Sequence, residues 1–134
     1  MNVLVDTSVW SLALRRDNPR GTRAEIELVE LIREGRVLML GAIRQELLSG
    51  IRTNEQFKKL RDRLRAFSDV PLGEADYEEA AACFNRCRAR GLQGSNTDFL
   101  MCAVGIRRNA AILTTDDDFK QFARLVHVKL HQPR

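Results

Sequence analysis

Four acids stand where buried runs of the chain give way to polar residues. Asp6 directly follows the apolar run Val3–Val5, and Asp116 follows Ala111–Leu113 after two threonines. Glu46 lies about one turn beyond a second apolar run, Val37–Leu40, and Asp98 opens the most continuously apolar stretch of the chain. Carboxylates brought together repel one another, and without a cation some are driven toward the protonated form. A hard divalent cation removes that conflict. Oxygen-only donors, with no histidine or thiol beside them, select Mg²⁺ or Mn²⁺ over Zn²⁺. Such an ion binds a phosphate oxygen, acidifies a bound water and stabilises a developing oxyanion, which is the chemistry of phosphodiester hydrolysis.

Taken singly, each acid has a plainer reading. Asp6 can hold a turn through backbone N–H groups. Asp98 can close the cap Ser95–Asn96–Thr97–Asp98 at a helix start. Asp116 can cap a helix beginning near Asp117, and Glu46 can be a surface residue. The argument for a site therefore depends on the elements that position all four.

Asn2 to Val5 reads as a short buried strand, and Thr22 to Glu34 as a helix with Ala24, Leu28, Leu31 and Ile32 on one stripe, ended by Gly35. Val37 to Leu40 is a second strand, followed by a helix carrying Ile43, Leu47 and Leu48 to near Gly50. Gln56 to Phe67 has Phe57, Leu60, Leu64 and Phe67 at helical spacing, with core the base-rate destination of that stripe. Val70 to Leu72 is a short strand. Glu74 to Arg90 is a helix whose acidic start and basic end suit its dipole, ended by Gly91. Thr97 to Arg108 is a helix apolar nearly all round, hence buried. Ala111 to Leu113 is a strand, TTDDDF leads into a short helix, and Val126 to Val128 forms a last strand. Arg15–Gly21 is a loop.

Strands alternating with helices imply a parallel sheet covered on both faces, a three-layer α/β/α sandwich. In such sheets sites form beyond the carboxyl ends of the strands. Asp6 and Asp116 fall there directly. The helix opened by Asp98 runs antiparallel to the strand it feeds, so its start lies at the same edge, as does Glu46.

The 134 residues suit one domain, 1–134, with 44% hydrophobic and 30% charged residues. No apolar run approaches transmembrane length and no export leader is read, so the cytoplasm is the expected location. Three cysteines, Cys83, Cys87 and Cys102, form no paired framework and make no zinc spacing with His127 or His131, so they read as small buried side chains. The net charge is +4, and without the four acids 22 basic face 14 acidic residues, a formal +8. Between Arg52 and Arg65 six basic residues, Arg52, Lys58, Lys59, Arg61, Arg63 and Arg65, meet two acids. That density suits either a solvated helix face or a polyanion such as RNA, with Arg52, Lys58, Lys59 and Arg61 as candidate contacts. Trp10 reads as packing beside the first strand, with stacking on a base the alternative.

The ordered set DTS at 6–8, QELLSG at 45–50, the Asp98 helix start and TTDDDF at 114–119 resembles the PIN-domain ribonucleases, and among them the short VapC-type toxins of toxin–antitoxin pairs. The resemblance implies a PIN-like sandwich with a mainly parallel sheet of four to five strands. It implies a Mg²⁺- or Mn²⁺-dependent endoribonuclease with a catalytic pocket of Asp6, Glu46, Asp98 and Asp116. Asp6, Asp98 and Asp116 would hold the metal, directly or through water, and Glu46 would orient or deprotonate the attacking water. Asp118 matches the family's T-x-D-x-D-F pattern as a supporting or additional acid, and Ser8 and Thr114 match its hydroxyl positions. The resemblance also implies a homodimer and inhibition by a cognate antitoxin protein. The chain departs from it at Asn96 and Thr97, where many relatives carry small apolar residues. Two further classes stand beside this reading. One is a catalytically silent RNA-binding module that blocks its target. The other is a phosphoryl-accepting receiver domain, disfavoured because Asp6 is followed by threonine rather than a second acid.

Overall fold

A computed structural model describes residues 1–14 and 21–134. The loop expected at Arg15–Gly21 lies outside the described residues except for Gly21. Strand β1 (Val3–Val5) is central, with β2 (Val37–Leu38) on one side and β3 (Ala111–Leu113) on the other, both parallel to it. Val3 faces Val37 and Ala111 across the ladders, and Val5 faces Leu113. All three residues of β1 and of β3 are buried. Successive strand residues point to opposite faces, so both faces of the sheet are covered, as the apolar runs require.

Helices α1 (Thr7–Leu14) and α2 (Arg23–Arg33) connect β1 to β2. Helices α3 (Gly41–Leu48), α4 (Asn54–Leu64), α5 (Glu74–Arg88) and α6 (Asn96–Arg108) connect β2 to β3, and α7 (Asp118–Val126) follows. The first connection leads to one side of β1 and the second crosses back to the other. With right-handed crossovers, the covering helices must lie on opposite faces. The contacts agree: α1 packs on α2 and α3, while α5, α6 and α7 pack on one another. The reversal of strand order falls between β1 and β3, where parallel sheets open a crevice at their carboxyl ends.

Three strands are continuous among the described residues, fewer than the four to five expected, because the two outer positions shrink to single bridges. Asp69 bridges Met39, and the Val70 N–H donates to the Met39 carbonyl at 2.8 Å. The next donor along that ladder would be the Leu72 N–H, but the partner segment turns into α3 at Gly41, so the strand expected at Val70–Leu72 stops at its start. At the other edge Leu130 bridges Ile112. The strand expected at Val126–Val128 does not form: Val126 shares the buried face of α7 with Phe119 and Phe122, and His127 ends that helix in a left-handed conformation, φ 61°.

The sequence reading also passed over α1. It begins immediately after Asp6, whose carbonyl accepts from the Val9 and Trp10 N–H groups. Trp10 packs rather than stacks in solvent: it is buried, with its ring edge on Phe67 at 5.2 Å between centroids. The α4 stripe reaches the core through Leu64, which is buried, with Leu60 and Phe67 packed against it. The three cysteines are free and buried. No helix among the described residues is long and apolar enough to cross a membrane.

Candidate active site

Asp6 is fixed from both directions along the chain. Its N–H donates to the Leu113 carbonyl at 2.9 Å, which ends the β1–β3 ladder, and its side chain turns into the start of α1. The Oδ1 atom accepts from the Thr7 N–H at 2.8 Å. The Oδ2 atom accepts from the Ser8 hydroxyl at 3.0 Å and the Thr114 hydroxyl at 2.7 Å. A carboxylate has about four acceptor positions, so three donors hold it in one orientation and leave room for one more partner. Only 8% of Asp6 is exposed, which is why those donors are needed.

Thr114 carries the order further. Its hydroxyl oxygen accepts from the Asp116 N–H at 2.9 Å, and Asp116 Oδ1 accepts from the Asp118 N–H at 2.9 Å. Ser8 works symmetrically, accepting from the Thr115 N–H at 3.3 Å. The two hydroxyls lace the loop after β3 to the carboxylate after β1.

Asp98 joins both of its alternative roles. Its Oδ2 accepts from the Ser95 N–H at 2.9 Å, while its own N–H donates to the Ser95 hydroxyl at 3.1 Å, a reciprocal cap for α6. Among the described residues the second oxygen has no hydrogen-bond partner. Burial, and then the charges of Asp6 and Asp116, push the Asp98 carboxyl up despite those two bonds. Glu46, an exposed residue of α3, accepts weakly from the Thr7 hydroxyl at 3.4 Å. Partial desolvation, then the charges of Asp6 and Asp98, raise its carboxyl as well. The acids expected to meet therefore sense one another across the crevice between β1 and β3. Thr7, which the sequence reading did not single out, supplies the hydroxyl that links α1 to Glu46. Its place beside Asp6 in DTS is the only sequence signal for it.

The other candidates divide. Asp118 reaches Asp116 through its backbone N–H, and it lines a separate cleft with Gly91, Leu92, Gln93, Gln121 and Phe122. Arg52, Lys58 and Lys59 are exposed, whereas Arg61 is half-buried and paired with Asp62 at 3.0 Å. Lys59 and Arg63 line a cleft of about 580 Å³ together with Ser11 and Leu14 of α1, Leu47 and Ile51. Ser11 lies one turn after Ser8 on α1, so that cleft adjoins the acidic edge along α1.

The donor set has the chemistry of a hard cation site, carboxylates and hydroxyls; the thiol of Cys102, one turn beyond Asp98 on α6, is fully buried and kept protonated by that burial. The raised Asp98 and Glu46 carboxyls are the repulsion a cation would relieve. Among the described residues, no three metal-capable side chains stand close enough to enclose an ion as they are. Mg²⁺ keeps several of its waters and takes few protein ligands directly, so an open arrangement of this kind fits it better than a closed cage would.

A family model described as the PIN domain matches residues 3–125, covering the sheet, every acid above and most of α7. The chain belongs to the PIN-domain family. Its similarity to curated members is spread along the length. It is 29% identical over 131 residues to the ribonuclease VapC11 of Mycobacterium tuberculosis and equally to a VapC ribonuclease of Mycobacterium bovis, covering 95% of this chain and 96% of each relative. Among solved structures, FitAcB of Neisseria gonorrhoeae superposes with a TM-score of 0.76 at 20% identity, covering 98% of this chain and 97% of that one. VapBC2 of Rickettsia felis, bound to a promoter DNA fragment, gives 0.77 at 18% identity with 98% of each chain covered. These last two show the PIN fold.

Proposed function

We propose that this PIN-domain protein is the toxin of a toxin–antitoxin pair and acts as an endoribonuclease, cleaving RNA phosphodiester bonds at the edge formed by Asp6, Glu46, Asp98 and Asp116. The observation that carries the reading is the Asp6 carboxylate, held by three donors in the crevice between β1 and β3 with Glu46, Asp98 and Asp116 around it. Asp6, Asp98 and Asp116 would hold Mg²⁺ or Mn²⁺, through water where they do not reach it, and the ion would supply charge for the phosphate and a more acidic water. Asp6 offers its remaining acceptor position there, and Asp98 the oxygen not used in its cap. Glu46, steadied by Thr7, would orient the attacking water or take its proton. Ser8 and Thr114 keep Asp6 in place, and Asp118 does the same for Asp116 through its N–H. Lys58 and Lys59, exposed on α4, attract the RNA backbone, together with Arg52.

Support for the toxin role comes from the mycobacterial relatives and from the partnered assemblies among the structural neighbours. Those neighbours support a small cognate antitoxin as inhibitor, and to the same reading belong a homodimer as the working form and the cytoplasm as its place. The deciding assay incubates RNA with Mg²⁺ or Mn²⁺ and either the wild type or Asp98→Asn. Cleavage by the wild type alone, abolished by a chelator, is the expected result, and equal cleavage by both proteins sinks the mechanism. The competitor is an RNA-binding module without chemistry, which the retained carboxylates disfavour because without a metal they repel phosphate. RNA binding with no cleavage under either metal decides for that competitor.

A further inference from the structure

Arg44 is placed in α3 two residues before Glu46, yet its side chain reaches away from the acidic edge to gather three acceptors from one short stretch. Its Nε donates to Asp69 Oδ1 at 2.9 Å, one terminal nitrogen to the Leu64 carbonyl at 3.0 Å, and the other to the Phe67 carbonyl. Leu64 is the last residue of α4, where carbonyls lack intrahelical partners and a cation is favoured by the helix dipole. Asp69 is the residue that bridges Met39 at the sheet's edge, and Gly41 approaches it so closely that a Cβ there would sit 3.3 Å from its carboxylate. Phe67 packs its ring against Trp10 of α1, the helix whose first turn holds Asp6 and Glu46. The Arg44 side chain is 22% exposed. A planar fork is the one side-chain head that serves a carboxylate and two carbonyls at once.

We propose that Arg44 is a positioning residue for RNA binding: by clamping the carboxyl end of α4 to α3, it fixes the basic face of α4 relative to the catalytic carboxylates. Lys59 and Arg63 then line the cleft beside Ser11, one turn after Ser8 on α1, and a strand bound along them is delivered to the acidic edge. Arg44 acts through α4 rather than on RNA; each of its three nitrogens is engaged inside the fold. The inference rests on the reading of α4 as an RNA-binding face, and the experiment separates the two.

The probe is a short mixed-sequence single-stranded RNA bound in EDTA by the full chain, followed by fluorescence anisotropy across a salt series. Lys58→Ala/Lys59→Ala should weaken binding about tenfold and lower the salt slope by about 1.4, as the loss of two direct phosphate contacts on a single strand does. Arg44→Met should weaken binding by a similar factor and add little on top of the double lysine variant, because it acts through the same helix. Arg44→Lys, which keeps the charge but not the fork, should fail to rescue. Asp69→Asn, which removes only one anchor, should give a smaller loss in a protein that stays folded by circular dichroism. Additive losses, or full rescue by lysine, overturn the proposal by making Arg44 a direct charge contact. Unchanged binding in a folded Arg44→Met protein, beside a weakened lysine variant, overturns it while leaving the α4 reading intact. Unchanged binding in both removes the α4 reading and the proposal together.

Discussion

Thr114 and Asp6, 108 positions apart in the chain, are joined by a hydrogen bond of 2.7 Å from hydroxyl to carboxylate. The same hydroxyl oxygen receives the Asp116 N–H. One small side chain therefore sets the separation of two acids on neighbouring strands. Thr114→Val keeps the shape and removes both bonds. Such supporting groups typically contribute about 10- to 100-fold to metal affinity or activity, and a loss in that range is expected in RNA cleavage, with Thr114→Ser retaining most of it. Cleavage by Thr114→Val at the wild-type rate contradicts the role.

Asp98→Asn should have opposite effects on activity and stability. The Asp98 carboxyl is shifted up by burial and by its acidic neighbours, so folding without metal works against its charge at neutral pH. The folded state holds that proton more tightly than the unfolded state, and stability therefore falls as pH rises through the shifted titration. Asparagine keeps an oxygen for the Ser95 cap and carries no charge. The metal-free variant should melt higher than the wild type at pH 7 while cleavage drops about 100-fold. A lower melting temperature would mean that the cap, rather than the repulsion, governs this position.

Added Mg²⁺ or Mn²⁺ should raise the melting temperature of the wild type, because an ion bound only by the folded chain stabilises it by mass action. The gain should be largest at neutral pH and fade as acid protonates Glu46 and Asp98, whose raised titrations bring that loss on earlier than for ordinary carboxyls. Thermal melts from pH 5 to 8 with and without metal test this. A metal effect independent of pH would place the ion elsewhere.

A second ionic cluster acts in the opposite sense. Asp76, 3% exposed, accepts from Arg107 at 2.9 Å, from two nitrogens of Arg108, and from the Gly73 N–H at 2.9 Å. The Arg108 guanidinium, followed by the Gly73 amide, holds its carboxyl far below the usual range. Stability from such a group is present above the unfolded value of about 4 and is lost as pH falls toward the depressed folded value. Asp76→Asn, leaving two arginines without a counter-charge, should cost about 3 kcal/mol by urea unfolding at pH 7 and less at pH 3. Equal losses at both pH values would argue against an ionic origin.

Residues 127–134 are tied to α2 through Glu27, 2% exposed, which meets His131 and accepts from Arg134 Nε at 2.8 Å. That attachment holds the outer bridge, in which the Ile112 N–H donates to Lys129 and the His131 N–H donates to Ile112. Glu27→Gln should speed amide exchange at Ile112 and His131 severalfold while leaving Asp6, whose N–H donates to the Leu113 carbonyl, protected by the β1–β3 ladder. Uniform acceleration at all three would mean global destabilisation instead.

The parallel arrangement and the shared edge of the acids were legible because burial wrote them as continuous apolar runs, VLV and AIL, each followed by a carboxylate. The caps of α2 and α6 were legible too, since Thr22 and Ser95 have the right side chains at the right positions. Helix α1 was not, because eight residues lying against the sheet and two other helices show no amphipathic stripe. The outer strands differ for a related reason: apolar residues at 70–72 and 126–128 look extended, but the entry of the partner segment into α3 at Gly41 and the buried face of α7 decide those positions through tertiary context. Thr7 and Arg44 were invisible for a different reason, since each draws its role from a partner on another element.

The pairing of β1 with β3 has a temporal side. Of the three donors that hold Asp6, the Thr7 N–H and the Ser8 hydroxyl are local, but the Thr114 hydroxyl comes from 108 positions away. The acidic edge is therefore incomplete until β3 has been made and has docked on β1. A partly made chain, before β3, has no such edge to act with.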